Sequence, residues 1–328
     1  MIINDYELTS ELTNANSGFS KWGFAVKNGR EYFIKELISP VYPIDEGVLS
    51  EKLIERRRGF CLDFEERSKR LYQKINSASR GNLVRIEEFF RCDSRYYLVT
   101  EKISNAKSFM SVCSMPEKQK HLVLKSMAFA FYCLHKSGVV HCDVKPSNIL
   151  VNSIDGINYT TKLIDFDAAG IENEMQKDIE PGGDLTYLSP ETFLQMIGEG
   201  DGITAKSDIF SLGLVYYQFF AGELPPFNKN KYDYPYEAVL DGRRLPPRPK
   251  IPVPLRKIIL RMIDVNPMRR PTAFELYRAL SPPVETTFGL NPEETEYIET
   301  RYNVEDSADK NKSEFAASGG LIRPGGDL

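Results

Sequence analysis

The run His141-Cys142-Asp143-Val144-Lys145-Pro146-Ser147-Asn148 puts a carboxylate, an ammonium and a side-chain amide within six residues, between two apolar segments. Asp143 can accept a proton from a hydroxyl, Lys145 can neutralise a phosphoryl group in transit, and Asn148 can ligate a hard cation such as Mg²⁺. Taken alone, an Asp-x-Lys-Pro run is more often a solvated turn whose proline fixes the backbone. A second acidic site follows in Lys162-Leu163-Ile164-Asp165-Phe166-Asp167, an apolar run ending in carboxylates, which predicts a buried strand that stops at an acidic tip.

Several elements are expected to position these groups. Phe19–Lys27 and Arg30–Glu36 flank Asn28-Gly29, a dipeptide that predicts a hairpin because both turn positions take positive φ. Lys35 falls on the second strand, where a lysine is ordinarily a solvated outward side chain. Leu49–Ile75 reads as a helix, with Phe64, Leu71 and Ile75 at helical spacing and Glu55, Glu65 and Glu66 among its charges. Arg95–Ile103 reads as a strand leading into a linker, and Leu122–His135 as an amphipathic helix closed by Ser137-Gly138.

In this order the segments resemble the protein kinase superfamily, and specifically the bacterial-type (eukaryotic-like) serine/threonine protein kinases. His141–Asn148 resembles the catalytic loop, and Asp165-Phe166-Asp167 the metal-binding segment usually written D-F-G. Tyr32–Lys35 resembles the V-A-I-K strand, and Ser189-Pro190-Glu191 the A-P-E element. Lys206–Gly213 resembles the start of the central helix, and Asn266–Arg270 the late element whose arginine pairs with that glutamate. The segment Leu12–Ser20 aligns with the glycine-rich loop and keeps one of its glycines, Gly18.

The resemblance implies an α+β, two-lobed kinase fold: a β-rich N-lobe over 1–102, a mainly helical C-lobe over 103–282 and an acidic tail over 283–328. It also implies MgATP-dependent transfer of the γ-phosphoryl group to Ser/Thr hydroxyls of a protein substrate, with Mn²⁺ as an alternative metal. Asp143 would be the base, aided by Lys145 and Asn148, while Asn148 and Asp165 would hold metal. Lys35 would contact the α and β phosphates, held by a glutamate of the following helix, for which Glu66 is the choice. Gly18, Thr100, Glu101, Ile103 and Leu150 would surround the nucleotide, with Thr100 at the back of the adenine pocket. Glu191 and Arg270 would form a buried ion pair.

Four departures qualify the resemblance. Phe33 replaces a small alanine above the adenine, which predicts a tighter pocket. Asp167 replaces a glycine and would restrict flipping of Asp165. Cys142 replaces an arginine that binds an activation-segment phosphate, so dependence on that contact is not expected. Asp184 replaces a threonine that bridges the catalytic Asp and Lys, and its carboxylate is placed to pair with Lys145.

With 328 residues and 41% hydrophobic side chains the chain can bury a full core, and its length suggests roughly two domains. The net charge of −4 argues against nucleic-acid binding, and the apolar run Ile209–Ala221 is shorter than a bilayer span. Five cysteines without a C-x-x-C spacing suggest neither a disulfide frame nor a zinc site, which fits reduced thiols in a cytoplasm; no signal peptide is evident. Cys142 reads as an inert packed thiol rather than an oxidisable one.

After Pro283 the chain carries ten Asp and Glu against four Lys and Arg, a composition that buries little. Phosphorylation at Thr286, Thr287 or Thr300 would recruit a phosphothreonine-reading partner, whereas a solvating tail is the plainer reading. Two other functions compete. A pseudokinase would use the fold as a nucleotide-gated protein-binding module, and a phosphotransferase of the aminoglycoside type would act on a small molecule. The complete set Lys35, Asp143, Asn148 and Asp165 speaks against the first, and Ser189-Pro190-Glu191 with Arg270 against the second.

Overall fold

Asn28 and Gly29 adopt φ of 53° and 74°, the paired positive values of a two-residue hairpin turn, and so join β3 (Ser20–Lys27) to β4 (Arg30–Leu37). With β1 (Ile2–Ile3), β2 (Tyr6–Leu8), β5 (Ile86–Cys92) and β6 (Arg95–Glu101) they form an antiparallel six-stranded sheet in the order β1-β2-β3-β4-β6-β5. The computed structural model describes residues 1–15, 20–44, 50–104, 106–155, 157–175, 183–246, 248 and 250–281. Gly18 and the tail threonines Thr286, Thr287 and Thr300 lie outside the described residues. Residues 1–281 make one unit, and 282–328 are a second.

Strand alternation gives the sheet two distinct faces. On one, Ala25, Ile34, Tyr97 and Val99 pack against Ile3 and Tyr6. On the other the register sets Trp22 beside Lys35 and Lys35 beside Leu98, with Phe24, Phe33 and Thr100 in the next row. Leu37 and Tyr96 share that second face and meet Cys61 of α1 (Glu51–Ala78). The helix spans the stretch expected from Leu49–Ile75 but runs further at its C-terminal end. Its inward residues Ile54, Cys61, Ser68, Tyr72 and Ile75 are spaced by sevens, fours and threes, as one helix face requires. Asn76 closes its C-terminal end against β5, donating to Ile86 O at 2.7 Å and accepting from Ile86 N–H at 3.0 Å.

Helices dominate after residue 103, giving the α+β, two-lobed arrangement of a kinase fold. Helix α2 (Glu117–Lys136) starts earlier than its apolar run and buries Val123, Leu124, Met127, Ala130, Phe131 and Leu134. Short antiparallel pairs flank it: β9 (Ile149–Ser153) with β7 (Lys107–Ser108) and β10 (Tyr159–Leu163), and β8 (Val139–Val140) with β11 (Gly170–Ile171). Helices α3 (Pro190–Met196), α4 (Ala205–Ala221), α5 (Pro235–Leu240), α6 (Val253–Met262) and α7 (Ala273–Ala279) complete the core.

The long apolar run is α4, buried on nearly every side as the centre of a helical core. The Thr204 side chain accepts from Lys206 N–H at its start, and Gly222, at φ 82°, ends it. Gly213 admits α6 closely: a Cβ there would lie 2.7 Å from Ile263 Cγ2 and 2.9 Å from Met262 Cβ. Among the described residues no helix is long and apolar enough to cross a membrane.

The expected ion pair is present. The side chain of Arg270 is wholly buried, and its two terminal nitrogens reach Glu191 Oε1 at 2.6 Å and Oε2 at 2.9 Å. Ser207 Oγ also donates to Glu191 Oε1, and Arg270 donates further to the carbonyls of Lys206 and Asp264. The pair therefore ties the start of α3 and the start of α4 to the turn before α7. Arg270→Met leaves Glu191 without its cation and should lower the unfolding free energy by about 3 to 5 kcal/mol. Urea denaturation reads this, and a loss under about 1 kcal/mol would show the pair to be dispensable.

Candidate functional site

The residues of the His141–Asn148 loop hang on one buried carboxylate. Asp208, in the first turn of α4, accepts from His135 Nε2 and from the backbone N–H of His141 at Oδ2, both at 2.8 Å. Its Oδ1 accepts from the N–H of Cys142 at 2.9 Å. Cys142 sits at φ 64°, a region that non-glycine residues rarely occupy, so the loop has to be held there. His141 Nδ1 accepts from Asp143 N–H at 3.4 Å, and its Nε2 lies 3.2 Å from Ile164 O. A carbonyl can only accept, so the ring carries its proton on Nε2.

Asp143, Lys145 and Asn148 converge as the sequence implies. Lys145 Nζ lies 2.8 Å from Asp143 Oδ2, and Asn148 Nδ2 donates to Asp143 Oδ2 and O, both at 2.9 Å. With its nitrogen committed to Asp143, the amide of Asn148 has Oδ1 as its remaining donor atom. Asp143 Oδ1 accepts from the N–H of Asp184 at 3.0 Å. Gly183 makes that approach possible: at φ 135°, a Cβ there would stand 3.0 Å from Cys142 O. The expected pairing of Asp184 with Lys145 is replaced by another arrangement, since Asp184 Oδ1 caps Thr186 N–H and Lys145 is taken by Asp143.

The acidic tip adjoins this loop. Ile164 N–H donates to Asn148 O at 3.0 Å, and the ring of buried Phe166 lies 4.9 Å from the His141 ring. Asp165 adopts φ 65°, which turns it away from the line of β10. Lys35 crosses from β4 to this segment, with Nζ 2.5 Å from Asp165 Oδ1 and 2.8 Å from Asp167 Oδ2. Burial favours a neutral lysine, but Asp167 and then Asp165 outweigh it and raise the ammonium's pKa. Burial would likewise raise Asp165, yet Lys35 overrides it and holds that carboxyl low. Burial pushes Asp167 up despite Lys35, and Asp165 adds to the push. One cation is thus shared by two acids.

The choice of Glu66 as the partner of Lys35 is corrected by this geometry. Glu66 is exposed on α1, as is Glu55, while Glu65 accepts from Tyr96 Oη at 2.9 Å. The buried face of α1 passes instead through Ser68 and Tyr72. Hydrophobic spacing locates that face only to within one position either way, and a one-residue error on a helix rotates the side chain by about 100°.

Around the expected nucleotide site, Thr100 lies on the same sheet face as Lys35, and Leu150 projects from β9 opposite the core residues Ile149 and Val151. Ile103 packs against the main core. Glu101 is more committed than expected: its N–H bonds Arg85 O, and its Oε1 accepts from Arg85 N–H at 2.8 Å and Lys162 Nζ at 2.6 Å. Phe33 stacks on Trp22 with ring centroids 5.6 Å apart, so the expected narrowing extends over two rings.

Asp208 and Asp167 take up partners that the sequence motifs do not assign to them. The signal for Asp208 is a lone carboxylate opening an otherwise apolar helix, since a charge there needs partners. For Asp167 it is an acid where glycine is usual.

A family model described as "Protein kinase domain" matches residues 63–280. Among curated proteins, CBL-interacting protein kinase 21 of Oryza sativa subsp. japonica is 26% identical over 225 residues, 67% of this chain and 41% of the relative. Calcium-dependent protein kinase SK5 of Glycine max is 26% identical, covering 71% and 46%, respectively. MAP kinase-interacting serine/threonine-protein kinase 1 of Xenopus tropicalis is 28% identical, covering 69% and 52%. The chain thus spans about half the length of these relatives, all of them from eukaryotes.

Two outcomes follow for the loop. Asp208→Asn replaces an acceptor oxygen with a donor facing N–H groups, and should cost about 1 to 3 kcal/mol by thermal or urea unfolding; an unchanged midpoint would contradict the role given to Asp208. Burial first, then Asp208 and Asp143, push the Cys142 thiol well up, so it stays protonated at mildly alkaline pH. Its alkylation by iodoacetamide at pH 8 in the folded protein should be at least about tenfold slower than for a free thiol, read by peptide mass spectrometry.

Proposed function

The chain belongs to the protein kinase domain family, and we propose that it is an active serine/threonine protein kinase that uses ATP with Mg²⁺ or Mn²⁺. The observation that carries this reading is the junction of the two chemical segments. Asp143, gripped by Lys145 and Asn148, adjoins Asp165 through the Ile164 N–H bond to Asn148 O.

In the reaction, the oxygen of a serine or threonine hydroxyl forms a bond to the γ-phosphorus of ATP as the bond from that phosphorus to the β–γ bridging oxygen breaks. Asp143 takes the hydroxyl proton, and ADP leaves with the bridging oxygen. Lys145, fixed beside Asp143, balances charge on the transferring group, and Lys35 reaches the non-transferred phosphates. Glu101, its N–H spent on Arg85, offers the adenine edge its carbonyl, while Ile103 supplies backbone and Thr100 and Leu150 bound the ring. Lys145-Pro146 after Asp143 resembles the loop of serine/threonine kinases rather than that of tyrosine kinases, which supports Ser/Thr acceptors.

The residues fit a hard divalent cation, because Asn148 Oδ1 and the Asp165 carboxylate are hard oxygen donors beside the phosphate path. Among the described residues no cluster of three His, Cys, Asp or Glu could hold a metal by itself. Two protein ligands completed by phosphate and water suit Mg²⁺, which is reluctant to dehydrate. When bound, the metal would neutralise charge on the phosphates.

We read the chain as a bacterial-type serine/threonine kinase with His-Cys-Asp and Asp-Phe-Asp segments, and Cys142, standing where an arginine would bind an activation-segment phosphate, as making it independent of that contact. Lobes over 1–102 and 103–282 and a reducing cytoplasmic setting complete the reading; the acidic tail over 283–328 reads first as a solvating segment, with recruitment of a phosphothreonine reader as the sharper alternative. Incubation with γ-labelled ATP and a Ser/Thr-rich acceptor protein should yield acid-stable phosphate on the acceptor. Asp143→Asn should lower the rate by about 10²- to 10⁴-fold. If both proteins are silent in Mg²⁺ and in Mn²⁺ while nucleotide still binds, the pseudokinase reading replaces this one.

A further inference from the structure

Lys35 is anchored without any help from α1. Its two anionic partners, Asp165 at 2.5 Å and Asp167 at 2.8 Å, both come from the segment that follows β10. On α1 the inward Tyr72 lies near enough to Asp167 and Asp165 for their charges to raise its phenol, and the inward Ser68 stands one turn before it; neither is an anion at neutral pH, while Glu65 bonds Tyr96 and Glu55 and Glu66 are exposed. Asp165 carries a second duty, since the proposed activity assigns it to the metal, and a bound cation there would compete with Lys35 for its charge. Among the described residues Asp167 is the other carboxylate that Lys35 contacts, and the side chain of Lys35 is only 11% exposed, which limits the access of water to the contact.

We propose that Asp167 is the positioning residue for Lys35, taking over the role that a glutamate of the helix plays in related enzymes and leaving α1 uncharged at that point. The inference rests on the kinase reading for its effect on turnover, but not for its effect on nucleotide binding. Because Asp167 and Asp165 belong to one three-residue segment, the lysine and the metal-facing carboxylate are aligned by the same piece of backbone. Displacement of α1 therefore does not break the lysine's ion pair, and control by swinging that helix is lost.

The test compares Asp167→Asn, which keeps size and removes charge, Asp167→Gly, and the double variant Asp167→Gly/Ser68→Glu, which moves the carboxylate onto α1. Binding of the non-hydrolysable analogue AMP-PNP with Mg²⁺ is measured by calorimetry, and kcat and KM for ATP by phosphoryl transfer. Thermal unfolding confirms that each variant is folded. Loss of the charge-assisted contact should weaken AMP-PNP binding by about ten- to a hundredfold in Asn and Gly alike, raise KM for ATP in parallel, and be largely reversed in the double variant. Parental affinity in Asp167→Asn, or no recovery in the double variant, overturns the proposal. A parent that binds the analogue but transfers nothing would remove the kinase reading while leaving the binding comparison intact.

Discussion

Everything chemical in this molecule depends on Asp208 being buried, charged and fully bonded. A carboxylate taken out of water is costly unless its oxygens are occupied, and here three N–H groups from α2 and the catalytic loop occupy them. The same bonds hold Cys142 in its left-handed conformation, and that bend aims Asp143 toward Lys145 and Asn148. One acidic side chain on the central helix thus converts core packing into loop geometry. Asp208 itself is 1% exposed, and Phe131 lies against the rings of both His135 and His141. Exclusion of water strengthens the bonds and also makes their loss expensive.

From the loop, order passes to the acidic tip through short backbone and ring contacts. His141 bridges to Ile164 O through Nε2 and stacks near Phe166, while Asn148 O receives Ile164 N–H. Phe89 continues the apolar support on the sheet side, its ring 5.3 Å from that of Tyr72 on α1. Tyr72 is itself fully lodged beside the carboxylates: burial, then Asp167 and Asp165, push its phenol far above its ordinary value. A neutral phenol at that place adds no charge to a site already crowded with anions.

Periodicity and turn chemistry make much of the fold legible in the sequence. The Asn28-Gly29 hairpin, the Leu122–His135 helix and the apolar Ile209–Ala221 helix all stand where residue patterns put them, apart from ends displaced by a few residues. The site is legible where chemistry is local in sequence, as in Asp143–Asn148 and Asp165–Asp167. It is not legible where the partner is distant and the signal is only a charge on a helix. Glu55, Glu65 and Glu66 are alike as sequence, and what separates them is rotation about α1, fixed by Cys61 and Tyr72 packing onto the sheet. Glu101 reads as a backbone contact alone because nothing in its neighbourhood foretells Lys162, 61 residues away, arriving beside it.

The departures from the family pattern make physical sense in pairs more than one at a time. Asp167 considered alone is a stiffer substitute for glycine; beside Ser68 on α1 it restores an anion to a lysine that would otherwise be buried with Asp165 only. Likewise Asp184 in place of a bridging threonine leaves Lys145 without that hydroxyl, yet the backbone N–H of Asp184, admitted by Gly183, supplies Asp143 Oδ1 with a donor. In each case the electrostatic requirement is kept while the atom that meets it changes. Charge balance around a buried lysine or a half-buried carboxylate is constrained by the cost of desolvation, whereas the chain position of the compensating group is not. A substitution that looks like damage at a single position is therefore better judged by whether the neighbouring charge still finds a partner, and both Lys35 and Asp143 do.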